Sequence, residues 1–136
     1  MIQQRNCDGK TELFDPIRKK WVRCTEEEKV RQSFIQYLLE CRNVTASHLS
    51  VEKEFAVNGL SKRYDIVIYD REAKPFIVIE CKAPSVKLTQ DVIEQVGRYN
   101  ITLQAPVIGV TNGNDNYFFN IDFETKKIHF LEDLPL

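Results

Sequence analysis

Asp65, Glu80 and Lys82 are the residues of this sequence whose types and spacing most clearly suit chemistry. Asp65 lies in Lys62-Arg63-Tyr64-Asp65-Ile66-Val67-Ile68-Tyr69. Glu80 and Lys82 lie in Phe76-Ile77-Val78-Ile79-Glu80-Cys81-Lys82-Ala83-Pro84. Both runs are apolar and rich in β-branched residues, and a polar loop ending in Pro75 joins them, which predicts an antiparallel hairpin. Pairing Asp70 with Pro75 places Asp65 opposite Glu80. Opposed side chains share a face, as does a residue two further on, so Lys82 joins them. Two carboxylates held about 5 Å apart repel unless a cation stands between them.

Phosphodiester cleavage needs an activated water, neutralisation of charge growing on the phosphate, and help for the leaving oxygen. Mg2+ can serve all three, Mn2+ can stand in for it, and carboxylate oxygens and water are its preferred ligands. Asp65 and Glu80 are the expected metal ligands, with the main-chain carbonyl of Cys81 a third. Lys82 is expected to orient or deprotonate the attacking water and to offset transition-state charge. The competing explanation is a surface hairpin whose polar face happens to carry Asp, Glu and Lys. Phe76-Ile77-Val78-Ile79 is apolar on both faces, which predicts a central strand, and charges at the end of a buried strand need partners or a metal.

The elements that must hold these groups are marked along the chain. Residues 1–17 are read as a polar arm, the first dozen being without periodicity, and residues 18–136 as a single domain. A short strand is expected at Lys20-Trp21-Val22-Arg23. Thr25 with Glu28 three residues on predicts a capping box opening a helix to about Cys41, whose buried stripe is Val30, Phe34, Tyr37, Leu38 and Cys41. Glu27 falls on that stripe and is expected to face the sheet, while Glu28 serves the cap. A strand at Val51–Val57, a turn at Asn58-Gly59 and the hairpin follow. A second helix is expected from Thr89 to Leu103, where Gln95 and Tyr99, four apart, share a face. Strands at Val107–Thr111, Tyr117–Phe123 and Lys127–Leu131 complete a mixed central sheet flanked by two helices, of the α/β or α+β class.

Composition narrows the functional classes. The 136 residues carry 19 basic and 20 acidic side chains, a net charge of −1, which argues against nucleic-acid binding by bulk charge. Short basic clusters remain at Arg18-Lys19-Lys20, Lys62-Arg63 and Lys126-Lys127. Cys7, Cys24, Cys41 and Cys81 form no zinc or disulfide pattern, and His48 and His129 have no ligand spacing. No apolar run approaches the roughly 18 residues of a membrane span and no signal peptide opens the chain, so a cytoplasmic protein is expected.

Asp65, Glu80-Cys81-Lys82 and Gln95-Val96-Gly97-Arg98-Tyr99 together resemble the PD-(D/E)xK nuclease superfamily, and specifically the N-terminal nuclease-like domain of type I restriction enzyme R subunits. Glu27-Glu28-Lys29-Val30-Arg31-Gln32, Val57-Asn58-Gly59-Leu60 and Val110-Thr111-Asn112-Gly113 resemble it too, so that the likeness spans about residues 18–133. The resemblance implies an αβββαβ core and Mg2+-dependent DNA cleavage. It makes Asp65 and Glu80 metal ligands and Lys82 catalytic, and equates Glu27 with the acidic position of the first helix. It adds Gln95 to the catalytic set and makes Tyr99 and Arg98, with Arg63 beside the site, the expected DNA contacts. The sequence has no Walker A motif, so the ATP-driven translocation of full-length R subunits is not expected of it. Other restriction or repair subunits are the implied partners. A noncatalytic DNA- or protein-binding module on the same fold is the alternative.

Overall fold

The computed structural model describes residues 1–57, 59–100 and 103–136, with the side chains of Val57, Tyr99 and Asn100 outside the description. Strands β1 (Gln4–Cys7), β2 (Lys10–Asp15) and β3 (Lys20–Arg23) precede helix α1 (Glu26–Cys41) and a 3-10 turn at Ala46–His48. Then come β4 (Leu49–Val57), β5 (Leu60–Tyr69), β6 (Pro75–Cys81), helix α2 (Gln90–Asn100), β7 (Val107–Thr111), β8 (Asn116–Asp122) and β9 (Lys127–Leu131). The six strands from β4 to β9 form one sheet in chain order. Every neighbouring pair is antiparallel except β6 and β7, which the α2 crossover makes parallel. This is the expected mixed sheet with two helices, and α1-β4-β5-β6-α2-β7 is its αβββαβ core.

Strand alternation sorts the core onto two faces. Val30, Phe34, Ile35 and Leu38 of α1 pack on Ile66, Ile68, Ile77 and Ile79. Ile93 and Val96 of α2 pack on Ile108, Val110, Phe119 and Ile121 on the other side. Strand β6 is buried on both faces, with Val78 opposite in direction to its neighbours and packed against Tyr64 and Val67. It is central, as its composition predicts. Gly109 lets β7 lie close on the α1 side: a Cβ there would stand 2.6 Å from Ile79 Cδ1 and 2.8 Å from Phe118 Cδ1.

Three expectations need correction. The N-terminal arm forms strands β1 and β2, which join the expected strand β3 in an antiparallel sheet of order β1-β2-β3. Asp8 and Gly9, both at positive φ, turn β1 into β2, and the Arg5 guanidinium lies 4.4 Å from the centre of the Trp21 ring, which meets Phe14 edge-on. Next, Ile66–Ile79, Val67–Val78 and Ile68–Ile77 pair as predicted, but Pro75 pairs with Tyr69 rather than Asp70. Pro75 has no N–H to give, and Asp70 closes the loop instead, its Oδ1 accepting from the amides of Glu72 and Lys74. Finally, Tyr37 and Cys41 are exposed on α1, whereas Glu28, Arg31 and Gln32 are buried. Helix α2 is described to Asn100, so its expected continuation towards Leu103 crosses residues outside the description, as does Asn58 of the expected turn.

Candidate functional site

Asp65 sits where β5 changes face. Tyr64 and Val67 belong to one side cluster, Ile66 and Ile68 to the other, so regular alternation breaks at Asp65. The facing strand breaks with it. Val51 pairs with Ile66 and Lys53 with Tyr64, while the intervening Glu52 adopts a left-handed φ of 55°. A non-glycine residue in that region costs on the order of 1–3 kcal/mol and persists only where the surroundings enforce it. Here the kink turns the Glu52 and Asp65 carboxylates to one guanidinium.

That guanidinium belongs to Arg31 of α1. Its Nη2 donates to Asp65 Oδ1 at 2.6 Å, to Glu52 Oε1 at 2.6 Å and, more weakly, to Glu27 Oε1 at 3.5 Å. Its Nη1 donates to Glu28 Oε1 at 2.6 Å. The Arg31 side chain is only 7% exposed. Burial opposes its charge, but the hydrogen bond to Asp65 and the charges of Asp65, Glu28 and Glu52 outweigh that effect and raise its pKa. Sequence reading overlooked Arg31 and Glu52. The only local sign was the spacing of Arg31 from Glu28 and Glu27, which are three and four positions before it on the helix.

Glu28 has a different role from the one expected. Its amide donates to Thr25 Oγ1 at 3.0 Å, so Thr25 caps the helix, but the Glu28 carboxylate does not complete a reciprocal box. It accepts from Arg31, from Arg18 Nη2 at 3.1 Å and from Gln32 Nε2 at 3.2 Å. Arg18 in turn donates through Nε to Asp15 Oδ2 at 2.6 Å, and Gln32 donates to the same oxygen at 2.9 Å. Burial pushes the Asp15 carboxyl up, yet the amide and guanidinium of Arg18 and the amide of Gln32 overcome it and hold its pKa below normal. A continuous polar chain therefore runs from the small sheet, through α1, to Asp65.

The other oxygen of Asp65 reaches β6. Oδ2 accepts from the Cys81 amide at 2.8 Å, filling the gap where β5 and β6 part beyond the Ile66–Ile79 pair. The carboxylate is thus fixed against the residue between Glu80 and Lys82. The Lys82 amide is tied to Thr111 of β7 at 2.8 Å, while its ammonium makes no ion pair among the described residues. Its charge is nevertheless felt at Glu27. Partial burial and the Asp65 charge raise the Glu27 pKa, with Arg31 and Lys82 lowering it and Glu52 raising it. Glu27 is on the site side but half-exposed at 49%, with Glu28 occupying the buried position expected of it. Cys81 is buried, and its thiol pKa is pushed well up by that burial and then by Asp65.

The structure therefore brings Asp65 to the Cys81 amide and, through Arg31, to Glu27. It corrects the expectation that Asp65 and Glu80 are paired on one face: the ladder ends at Ile66–Ile79, Glu80 stands beside Val110, which packs under α2, and the Asp65 carboxylate turns to Arg31 of α1. Gln95 and Arg98 are exposed on α2, which packs on the Glu80 side of the sheet, opposite Arg31 and α1. Arg98 lines a cleft of about 290 Å³ with Gly97, Ile121, Lys126 and Ile128. Arg63 is exposed on β5, paired across the ladder with Glu54. The Tyr99 side chain, expected to contact DNA, lies outside the described residues.

Carboxylate oxygens are the right donors for Mg2+. Their arrangement does not fit it. Both Asp65 oxygens are engaged, one by Arg31 and one by the Cys81 amide, and among the described residues no three acidic, histidine or cysteine groups are placed to hold an ion.

Residues 26–135 match a family model described as type I restriction enzyme R protein N terminus (HSDR_N). No curated protein matches the sequence. Among solved structures, the chain is similar to one described as a fragment of an HsdR subunit of a type I restriction enzyme from Vibrio vulnificus YJ016. That similarity has 22% identity and a TM-score of 0.55, covering 82% of this chain and 24% of the other. The chain thus spans about a quarter of the length of that relative, and at this identity the likeness speaks for the fold.

Proposed function

The chain belongs to the type I restriction enzyme R protein N-terminus family, and from that premise we propose that it is a DNA endonuclease-like domain of PD-(D/E)xK type. The observation that carries this reading is the Asp65 carboxylate held 2.8 Å from the Cys81 amide, between Glu80 and Lys82. Asp65 and the Glu80-Cys81-Lys82 segment thereby meet at one end of rigid strands, which supports the reading of a hydrolytic site. Lys82 is the group best placed to act on the attacking water. Its ammonium has no ion-pair partner among the described residues, and its amide is tied to Thr111 of β7. Glu27 sits at the rim with a raised pKa, the sort of perturbation that marks proton-handling positions. DNA is the proposed substrate and restriction subunits the proposed partners, with Arg98 and Arg63 as phosphate contacts and Gln95 and Tyr99 as further contributors from α2.

Cleavage of supercoiled and linear DNA in Mg2+ or Mn2+ tests this, with Lys82→Ala as the comparison. Metal-dependent nicking by the parent should fall at least a hundredfold in the variant, with little change in melting temperature. Equal cleavage by both proteins would sink the assignment of Lys82.

One observation favours a second reading, a noncatalytic DNA- or protein-binding module. Arg31 already neutralises Asp65, so the acidic site is electrostatically complete without a metal. On that reading neither protein cleaves DNA, and Mn2+ leaves the melting temperature unchanged.

A further inference from the structure

Strand β9 has no strand on its outer side among the described residues, because the large sheet runs from β4 to β9 and ends there. An edge strand presents a row of N–H and C=O groups that can pair with another chain, and proteins commonly blunt it with charge, proline or an irregular backbone. The two edges of this sheet differ in that respect. Strand β4 is broken by Glu52 at its left-handed φ of 55°. Strand β9 pairs with β8 without a break from Lys127 to Leu131, and its middle, Ile128-His129-Phe130, carries no lysine, carboxylate or proline. Ile128 is 40% exposed, Phe130 56% and Tyr117 of β8 38%. All three lie on the α2 side, where Phe130 meets the core ring of Phe119 at 5.9 Å and Tyr117 stands two residues before Phe119. They form an apolar strip beside the cleft that Ile128 lines with Gly97, Arg98, Ile121 and Lys126.

Charge says what covers this edge. Lys126 and Lys127 stand at the start of β9, Glu132 and Asp133 just past its end. Arg42 binds Asp133, whereas Lys126, Lys127 and Glu132 make no ion pair among the described residues. An antiparallel strand from a second copy sets each basic end against the other's acidic end. Centred on His129, that pairing places Ile128 opposite Phe130 of the second copy, at the mouth of the cleft, and Lys126 opposite its Glu132. Within one chain those two charges are separated by the length of β9, about 20 Å of extended strand, and cannot meet. We propose that β9 is the docking edge for a second copy of this chain, paired antiparallel about His129 so that the two large sheets become one. The arrangement closes on itself, since the same patch serves both copies.

Sedimentation equilibrium of the full chain tests this over about 1 µM to 1 mM, the range suited to an interface as small as one strand edge. The parent should pass from one chain mass to two and no further. Lys126→Glu and Glu132→Lys should each weaken dimerisation about tenfold, because each puts like charges together twice in the dimer. Lys126→Glu/Glu132→Lys should return to within about threefold of the parent, since the swap restores both pairs. His129→Cys gives a second readout. Cα atoms about 4.5–5.5 Å apart across the two-fold suit a disulfide, so mild oxidation should join two chains through the introduced thiols, identified by peptide mass. A parent that stays monomeric at the highest concentration overturns the proposal and leaves the edge to a strand of a different protein. Mass rising beyond two chains also overturns it, because a head-to-tail pairing of β9 with β4 does not close. So does a dimer that the charge swap fails to restore, or one that does not join at position 129. If Lys126→Glu fails to fold, Glu132→Lys and His129→Cys decide: weakened dimerisation together with the cross-link supports the pairing, and the absence of either overturns it.

Discussion

Arg18 and Asp15 show how much one ion pair far from the candidate site has to do. Asp15 is fully buried, and its carboxylate is satisfied by the Ile17 and Arg18 amides, the Arg18 guanidinium and Gln32. Removing one partner of a buried pair leaves the other charge uncompensated, so Arg18→Ala should destabilise the protein by about 3 kcal/mol in chemical denaturation. The pH dependence has a definite sign. Asp15 has a folded pKa below its ordinary value of 3.8, so the folded state binds its proton less readily than the unfolded chain. Its contribution is fully present above that value and is lost as pH falls through the folded pKa. The acid limb of the stability curve should therefore be shallower for Asp15→Asn than for the parent below about pH 4.

At the scale of elements, β4 and β5 are shaped around a charge. Glu52 at a φ of 55° and the face change at Asp65 are one event seen from two strands, and together they deliver both carboxylates to α1. The backbone cost and the carboxylate contact can be separated by comparing two variants. Glu52→Ala and Glu52→Gly both lose the bond to Arg31, but only glycine relaxes the left-handed backbone. Glu52→Gly should therefore be the more stable of the two by about 1 kcal/mol. If alanine is equal or better, the positive φ carries no strain and the kink is an ordinary feature of this strand pair. The hairpin beside it was legible in the sequence because Ile66, Ile68, Ile77 and Ile79 alternate on both runs, so that a one-residue slip would put one pair on the wrong face. Its turn was not, because the Asp70 side chain competes with ladder pairing in a way that alternation does not encode.

Over the whole molecule, the small sheet of β1, β2 and β3 is the end of a polar chain that finishes at Asp65. The family match begins at residue 26, beyond β3, so the six-stranded sheet and both helices fall within the matched region. A protein starting at Thr25 should retain that sheet but lose Arg18 from Glu28 and melt about 10 °C lower than the full chain. An unchanged melting temperature would show that the small sheet does not support α1. The sequence by itself determined the central hairpin and the order of helices and strands, because hydrophobic period, caps and turn residues act over a few positions. The tertiary structure alone decided the rest. Strands as polar as Gln4–Cys7 carry no period to read. Arg31 meets Glu52 and Asp65 across 21 and 34 residues of sequence. Such partners are selected by how α1 lies on the sheet and by the need to neutralise a buried charge, and neither is written in local spacing.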